Sequence, residues 1–275
     1  MSARDVRIGP TAHYTAYAWH RLGLPHAELF ATSTGAGLFW TLRALGEWLV
    51  VLHPRLPSML QYLEARHRGI EAALEDARPD RVIELGAGLS RRGLTWAARG
   101  VPYVEVDLPH MVAAKQERIA AMAPSALRTA VAGRLTHAAQ DVLAPDFAGW
   151  LRQAVAGAER PVVIAEGVLG YFEPDERARL AGVIAAELPP GGRFLCDLRA
   201  ADGGAAMRVA VRFLKAGIFL ATSGRGARAD FTDEAEIRSF FAEAGFRTAA
   251  PVPVERATPH LARLRQGVRI WEAVR

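Results

Sequence analysis

The sequence predicts an α/β protein, a doubly wound and mostly parallel sheet of seven strands preceded by a helical cap. Three features carry this prediction. Short apolar runs recur between residues 81 and 198, separated by helix-length segments in a βαβαβαβαβ series. The first run passes into a glycine turn and then a helix, the order in which open α/β sheets build a ligand site. Residues 11–78 read as helix throughout, more helix than such a core needs before its first strand.

In chain order, Thr11–Leu22, Gly35–Leu52 and Pro57–Arg78 are expected to be helices, punctuated by Pro25, Pro54 and Pro57. This preface is rich in bulky groups, including Tyr14, Tyr17, Trp19, Phe30, Phe39, Trp40 and Trp48. Residues 1–78 are therefore assigned to a cap and substrate lid, with Tyr14 and Tyr17 lining an acceptor pocket. Ordinary helix packing accounts for most of the other aromatics. The core occupies 79–275. Its strands are expected at the apolar run Val82-Ile83 flanked by Arg81 and Glu84, and at Val101–Asp107, Arg134–Val142, Pro161–Ala165 and Arg193–Leu198. Helices follow at Leu89–Arg99, from Pro109 to about Met122, and from Glu173 to about Leu188. Ser90 suits a cap, Gly100 a stop, and Pro109 a first helical position. An insertion at about 199–230 holds an expected helix, Gly203–Leu220, and a glycine–arginine loop at 224–228 that could close over substrate. A helix capped by Thr232 then runs to Gly245, and Phe246–Val254 and Val268–Val274 form an antiparallel closing pair. No internal repeat or linker is evident.

The chemistry gathers at strand ends. Gly86 and Gly88 allow a tight turn and close approach of a ligand to the backbone. A dinucleotide fingerprint needs a third glycine where this chain has Arg91, which weakens a nicotinamide reading. Glu84, two residues before Gly86, can meet an ammonium but would repel a diphosphate. Asp107 ends the second strand nineteen positions after Gly88, where a carboxylate accepts from ribose hydroxyls; it also suits a helix N-cap. Asp141 could accept from an adenine amino group while Val142 packs on the ring, although Asp is common in such turns. Glu166 reaches the ligand edge of the fourth strand, and Tyr171 follows it. Arg66 could hold a ligand carboxylate, against the competing reading of a solvated helix face among Glu64 and Arg68.

Composition narrows the classes. Of 275 residues, 51% are hydrophobic and the net charge is +5, enough apolar chain for one α/β domain with an added cap. The basic residues are scattered without a stripe or interleaved aromatics, so no nucleic-acid partner is expected. Cys196 is the single cysteine, which fits a reducing cytoplasm. Met1–Thr11 has no apolar stretch of a secretory signal, and no run is long enough to span a bilayer. His13, His20, His26 and His53 lack metal-ligand spacing, and no metal is expected.

Three passages resemble the leucine carboxyl methyltransferase family, especially its bacterial branch similar to tetracenomycin polyketide O-methyltransferases. They are Val82–Gly88, Val104–Pro109 and Ala165–Phe172, the last matching a family pattern A/S-E-x-[VL]-L-x-Y. The likeness covers roughly residues 57–200. It implies a Rossmann-like class I methyltransferase fold and S-adenosylmethionine (SAM) as cofactor. It also implies that Arg66 binds the SAM carboxylate, Gly86 lines the methionine and Asp107 binds ribose. Asp141 and Val142 would lie at adenine, and Glu166 and Tyr171 beside the methionine and methyl end. Glu84, Gly88 and Leu108 join the cofactor-binding set. Ser90 departs from the family's third glycine, and the preface does not closely match the protein phosphatase methyltransferase, which puts a protein carboxyl terminus in doubt as substrate.

The expected activity is SAM-dependent O-methylation of a small, natural-product-like acid, a carboxylate slightly ahead of a phenolic hydroxyl. Arg199 would orient an acidic acceptor, and Tyr171 would position the reacting end. A carboxylate needs no general base at neutral pH; among His110, His137 and Glu166 none is singled out. The alternatives are an NAD-dependent oxidoreductase and a non-catalytic SAM-binding accessory protein. A homodimer is compatible with the chain, and a membrane partner is not expected.

Overall fold

The computed structural model describes residues 9–44, 57–198, 231–264 and 269–275. The strands are β1 Arg81–Leu85, β2 Tyr103–Asp107, β3 Leu135–Ala139, β4 Pro161–Ala165, β5 Arg193–Asp197, β6 Thr248–Pro251 and β7 Ile270–Val274. The helices are α1 Gly9–Arg21, α2 Ser33–Leu42, α3 Met59–Ala77, α4 Arg92–Ala98, α5 Pro109–Ala120, α6 Ala126–Val131, α7 Phe147–Val155, α8 Pro174–Glu187 and α9 Glu234–Ala244. The strands make one sheet in the order β3-β2-β1-β4-β5-β7-β6. β1 to β5 pair in parallel, and β7 runs antiparallel to both β5 and β6. The doubly wound seven-stranded sheet is thus the one the sequence predicted.

Strand alternation gives this sheet two apolar faces. Val82, Tyr103, Val162, Ile164, Leu195 and Ile270 pack under α1, α3, α4 and the start of α5. Ile83, Leu85, Val163, Ala165, Phe194, Cys196 and Trp271 pack under α7, α8 and α9. At roughly 1.5–3 kcal/mol per fully buried large apolar side chain, these two layers hold the elements in place. α1 and α2 pack through Tyr14, Tyr17 and Phe39, whose rings lie 5.8 and 5.4 Å from one another across the contact.

Several boundaries moved for physical reasons. α3 starts at Met59 because Ser58 and Gln61 form a capping box, which fixes the start to one residue and is worth about 1 kcal/mol. The helix expected from Leu89 begins at Arg92; Ser90 turns its hydroxyl to the Arg92 N–H at 3.2 Å, within the turn rather than at the cap position. β3 ends at Ala139, so Asp141 lies beyond the strand, not at its end. Asp233 rather than Thr232 caps α9, accepting from the Glu236 N–H at 2.9 Å, while Glu236 reaches back to Thr232. The residues at 45–52, Trp48, Arg199 and the whole expected insertion at 199–230 lie outside the described residues.

Candidate functional site

The site is built where the parallel strands end. Gly86 and Gly88 both have left-handed backbone, with φ of +60° and +51°. A side chain at 86 would strike Val168, and one at 88 would meet the Ala12 methyl group of α1 at 3.1 Å. Glycine is therefore required by conformation and by space at the turn. Asp107 closes it from the next strand: its carboxylate accepts from the Gly88 N–H at 2.6 Å and the Leu108 N–H at 2.7 Å. Each of its oxygens keeps a second lone pair for a ligand hydroxyl. Burial pushes its pKa up, against the lowering effect of these two N–H groups.

Alternation then aligns four acids on the sheet face that carries α3 and α4: Glu105 on β2, Glu84 on β1, Glu166 just past β4 and Asp197 at the end of β5. Helices on that face supply the cations. Lys115 of α5 meets Glu105 at 2.7 Å, with His137 at 3.1 Å from the same oxygen. Arg92 of α4, fully buried, bridges Glu84 at 2.5 Å and Glu166 at 2.5 Å. Arg66 of α3 donates to Glu166 at 3.0 Å and to Asp197 at 3.5 Å. His67 places Nδ1 3.1 Å from Glu166 and 2.8 Å from Arg92, serving one or the other according to its tautomer, and its ring centroid lies 4.7 Å from that of Trp19. Arg91, the residue that replaced a third glycine, is buried and ion-paired to Glu71.

The electrostatics follow from these contacts. Burial alone would raise Glu166, but Arg92, His67 and Arg66 outweigh it and hold the carboxyl well below the usual range. Burial, reinforced by Arg92, pushes His67 down, so it stays neutral. Glu84 is pushed up by burial, with Arg92 opposing. Replacing one member of such a buried set leaves the others uncompensated.

The predicted residues divide accordingly. Arg66, Glu166, Gly86, Gly88, Asp107 and Leu108 come together around the turn, and Arg66 is buried rather than on a solvated face. Glu84 does not face the turn. Its oxygens are taken by Arg92 and, at 2.7 Å, by the Tyr103 hydroxyl, because alternation points residue 84 into the face that holds Val82. The carboxylate expected from the sequence to meet an ammonium is thus held by protein partners in this structure. Tyr171 lies in a 3-10 turn, Leu169–Tyr171, beyond β4, half-buried. Asp141 is exposed and accepts from the Leu143 N–H at 2.9 Å; Val142 beside it lines a shallow pocket with Leu143, Phe147 and Arg179. Tyr14 is buried against Phe39 and Tyr17 is half-buried, so both serve the α1–α2 packing.

Arg92, His67 and Asp197 escaped the sequence reading. Arg91-Arg92 was the available signal: two cations at a helix N-terminus, where the helix dipole disfavours them, demand buried acids nearby. Nothing marked His67 among the polar residues of α3, and Asp197 read only as the end of a strand. Among the described residues no cluster of His, Cys, Asp or Glu suits a metal, and no helix is long and apolar enough to cross a membrane.

A seven-stranded sheet of this order, with its antiparallel β7 and a glycine turn after β1, defines the class I SAM-dependent methyltransferase fold, and SAM is the cofactor that goes with it. Two solved structures share it. A DUF574 family protein from Streptomyces avermitilis matches with a TM-score of 0.62 at 14% identity, over 98% of this chain and 99% of that one. A "putative methyltransferase" from Thermobifida fusca matches with a TM-score of 0.59 at 17% identity, over 96% and 94%. Residues 25–185 match the model of the leucine carboxyl methyltransferase family, and the chain belongs to that family. A Mycobacterium bovis (strain BCG / Pasteur 1173P2) relative named "Putative S-adenosyl-L-methionine-dependent methyltransferase" is 30% identical over 212 residues, 72% of this chain and 60% of its own. The chain thus spans about 60% of the length of the curated relatives it matches.

Proposed function

We propose that this chain is a SAM-dependent O-methyltransferase of the tetracenomycin-like branch, acting on a small natural-product acid, with a carboxylate acceptor slightly ahead of a phenol. One observation carries the cofactor part: Arg66, Glu166 and Asp197 converge beside the Gly86–Gly88 turn, with Asp107 closing its other side. That arrangement offers a guanidinium for a carboxylate, a carboxylate for an ammonium, and Asp107 for ribose hydroxyls. The residues present therefore fit SAM. The buried Arg91 at the third-glycine position argues against a dinucleotide.

When bound, SAM supplies an electrophilic methyl on a sulfonium, already joined to a good leaving group. The chain's own work is to bind, align and keep out water. Arg66 holds the carboxylate of the cofactor's methionine half and Asp107 its ribose. Glu166, kept ionised by Arg92 and Arg66 with all its donors in place, fixes Arg66 and is committed to them rather than free to take a proton. Tyr171 positions the reacting end and Arg199 orients the acceptor. An acceptor already ionised at neutral pH suits such a site, which supports the preference for a carboxylate. The active unit has no nucleic-acid or membrane partner in this reading, and acts in the cytoplasm.

Calorimetric titration with S-adenosylhomocysteine, with NAD⁺ in parallel, tests the reading. Micromolar or tighter binding of the first, lost in Asp107→Ala, is expected; a screen of acids and phenols then distinguishes methyl ester from methyl ether products. Binding of NAD⁺ alone would overturn it, and cofactor binding without turnover on any acceptor would point to the accessory-protein alternative.

A further inference from the structure

With Glu84 sealed away, the ammonium of the cofactor's amino-acid half needs another carboxylate. Glu105 is buried between Lys115 and His137. Glu166 has both oxygens taken, one by Arg66 and the other by Arg92, with His67 Nδ1 3.1 Å from the second. Asp197 differs. Its Oδ1 accepts from the Gly167 N–H at 2.5 Å, but Oδ2 has only the long 3.5 Å contact with Arg66 Nη1. Of the acids that touch Arg66 it is the least committed oxygen; Glu105 Oε1 also lacks a hydrogen bond but is packed against Gly93 of α4. Arg66 matches it, since its Nη2 donates to none of the described residues in the contacts above.

The pair lies against the glycine turn. The Arg66 guanidinium packs 3.1–3.3 Å from where a Cβ on Gly167 would sit, and the next residue, Val168, covers Gly86. A buried cation and anion side by side present the mirror image of an α-amino-acid zwitterion, one donor group for its carboxylate and one acceptor for its ammonium. We infer that Asp197, rather than Glu84, receives the α-ammonium of the cofactor, opposite Arg66. This assignment rests on the cofactor reading above.

The test pairs two ligands with three proteins. S-adenosylhomocysteine carries the amino-acid group; 5′-methylthioadenosine keeps the adenosine and thioether but lacks it. Calorimetry on the native chain and on Asp197→Asn should show S-adenosylhomocysteine binding weakened 10- to 100-fold, with methylthioadenosine changed less than twofold. Asp197→Ser, which keeps an acceptor for the Gly167 N–H, should show the same split if the amide variant folds poorly, and retained methylthioadenosine binding reports that either is folded. Glu84→Gln should move both ligands together. The assignment is overturned if the Asp197 variants bind S-adenosylhomocysteine within twofold of the native chain, if they lose both ligands equally, or if Glu84→Gln alone produces the split. Failure of the native chain to bind either ligand would instead remove the cofactor reading itself, and this assignment with it.

Discussion

Arg92→Met should unfold this protein at a markedly lower temperature, although it leaves every apolar contact of the core in place. The guanidinium is fully buried and holds two carboxylates, Glu84 and Glu166, at 2.5 Å each, with 3% and 5% of those side chains exposed. Methionine fills much of the same volume but leaves Glu84 without its paired cation, while Glu166 keeps only Arg66. Breaking a buried pair by removing one partner costs about 3–5 kcal/mol. Unfolding entropy near the midpoint is about 2 cal/mol/K per residue, roughly 0.6 kcal/mol/K for 275 residues, so Tm should fall by about 5–9 °C. Thermal melts followed by circular dichroism measure this. A second variant isolates the charge: Arg92→Met with Glu84→Gln should recover part of the loss, because it removes one stranded carboxylate. A single-variant Tm within 2 °C of the native value, or no recovery in the double variant, would refute the view that Arg92 is the keystone of the acid row.

Two further outcomes follow from the same geometry. His67 is kept neutral in the fold, its pKa lowered from 6.5 chiefly by burial and then by Arg92, while in the unfolded chain it takes up a proton below that pH. Its contribution to stability is therefore complete above about pH 6.5 and is lost as pH falls; His67→Phe should reduce the slope of urea stability between pH 6.5 and 5 by up to ~1.4 kcal/mol per pH unit, the remainder arising from His13 and His26, and an unchanged slope would contradict a buried neutral imidazole. Gly86→Ala combines a left-handed backbone, about 1–2 kcal/mol, with a clash on Val168 worth roughly 1–3 kcal/mol; adding Val168→Ala should recover the second part in denaturant titrations and leave the first.

By itself the sequence determined the architecture and one end of the site. Apolar runs of strand length, a proline at the first position of α5, and glycines at 86 and 88 are local signals, and local signals survive without tertiary context. They were enough for the seven-stranded sheet, the glycine turn and the position of Asp107. Only the tertiary structure decided which charges meet. Arg66 and Glu166 are a hundred residues apart, and Arg92 joins Glu84 to Glu166 across two strands. No spacing rule reaches that far. Glu84 shows the limit most clearly: its place two residues before the glycine suggested a ligand contact, yet strand alternation turns it into the buried face, where Arg92 and Tyr103 claim it. Asp197 shows the converse, an ordinary strand-end residue until β5 lies beside β4 and sets it next to Arg66. Side-chain direction in a strand is a matter of parity, but what waits on either side is settled by the helices that pack there.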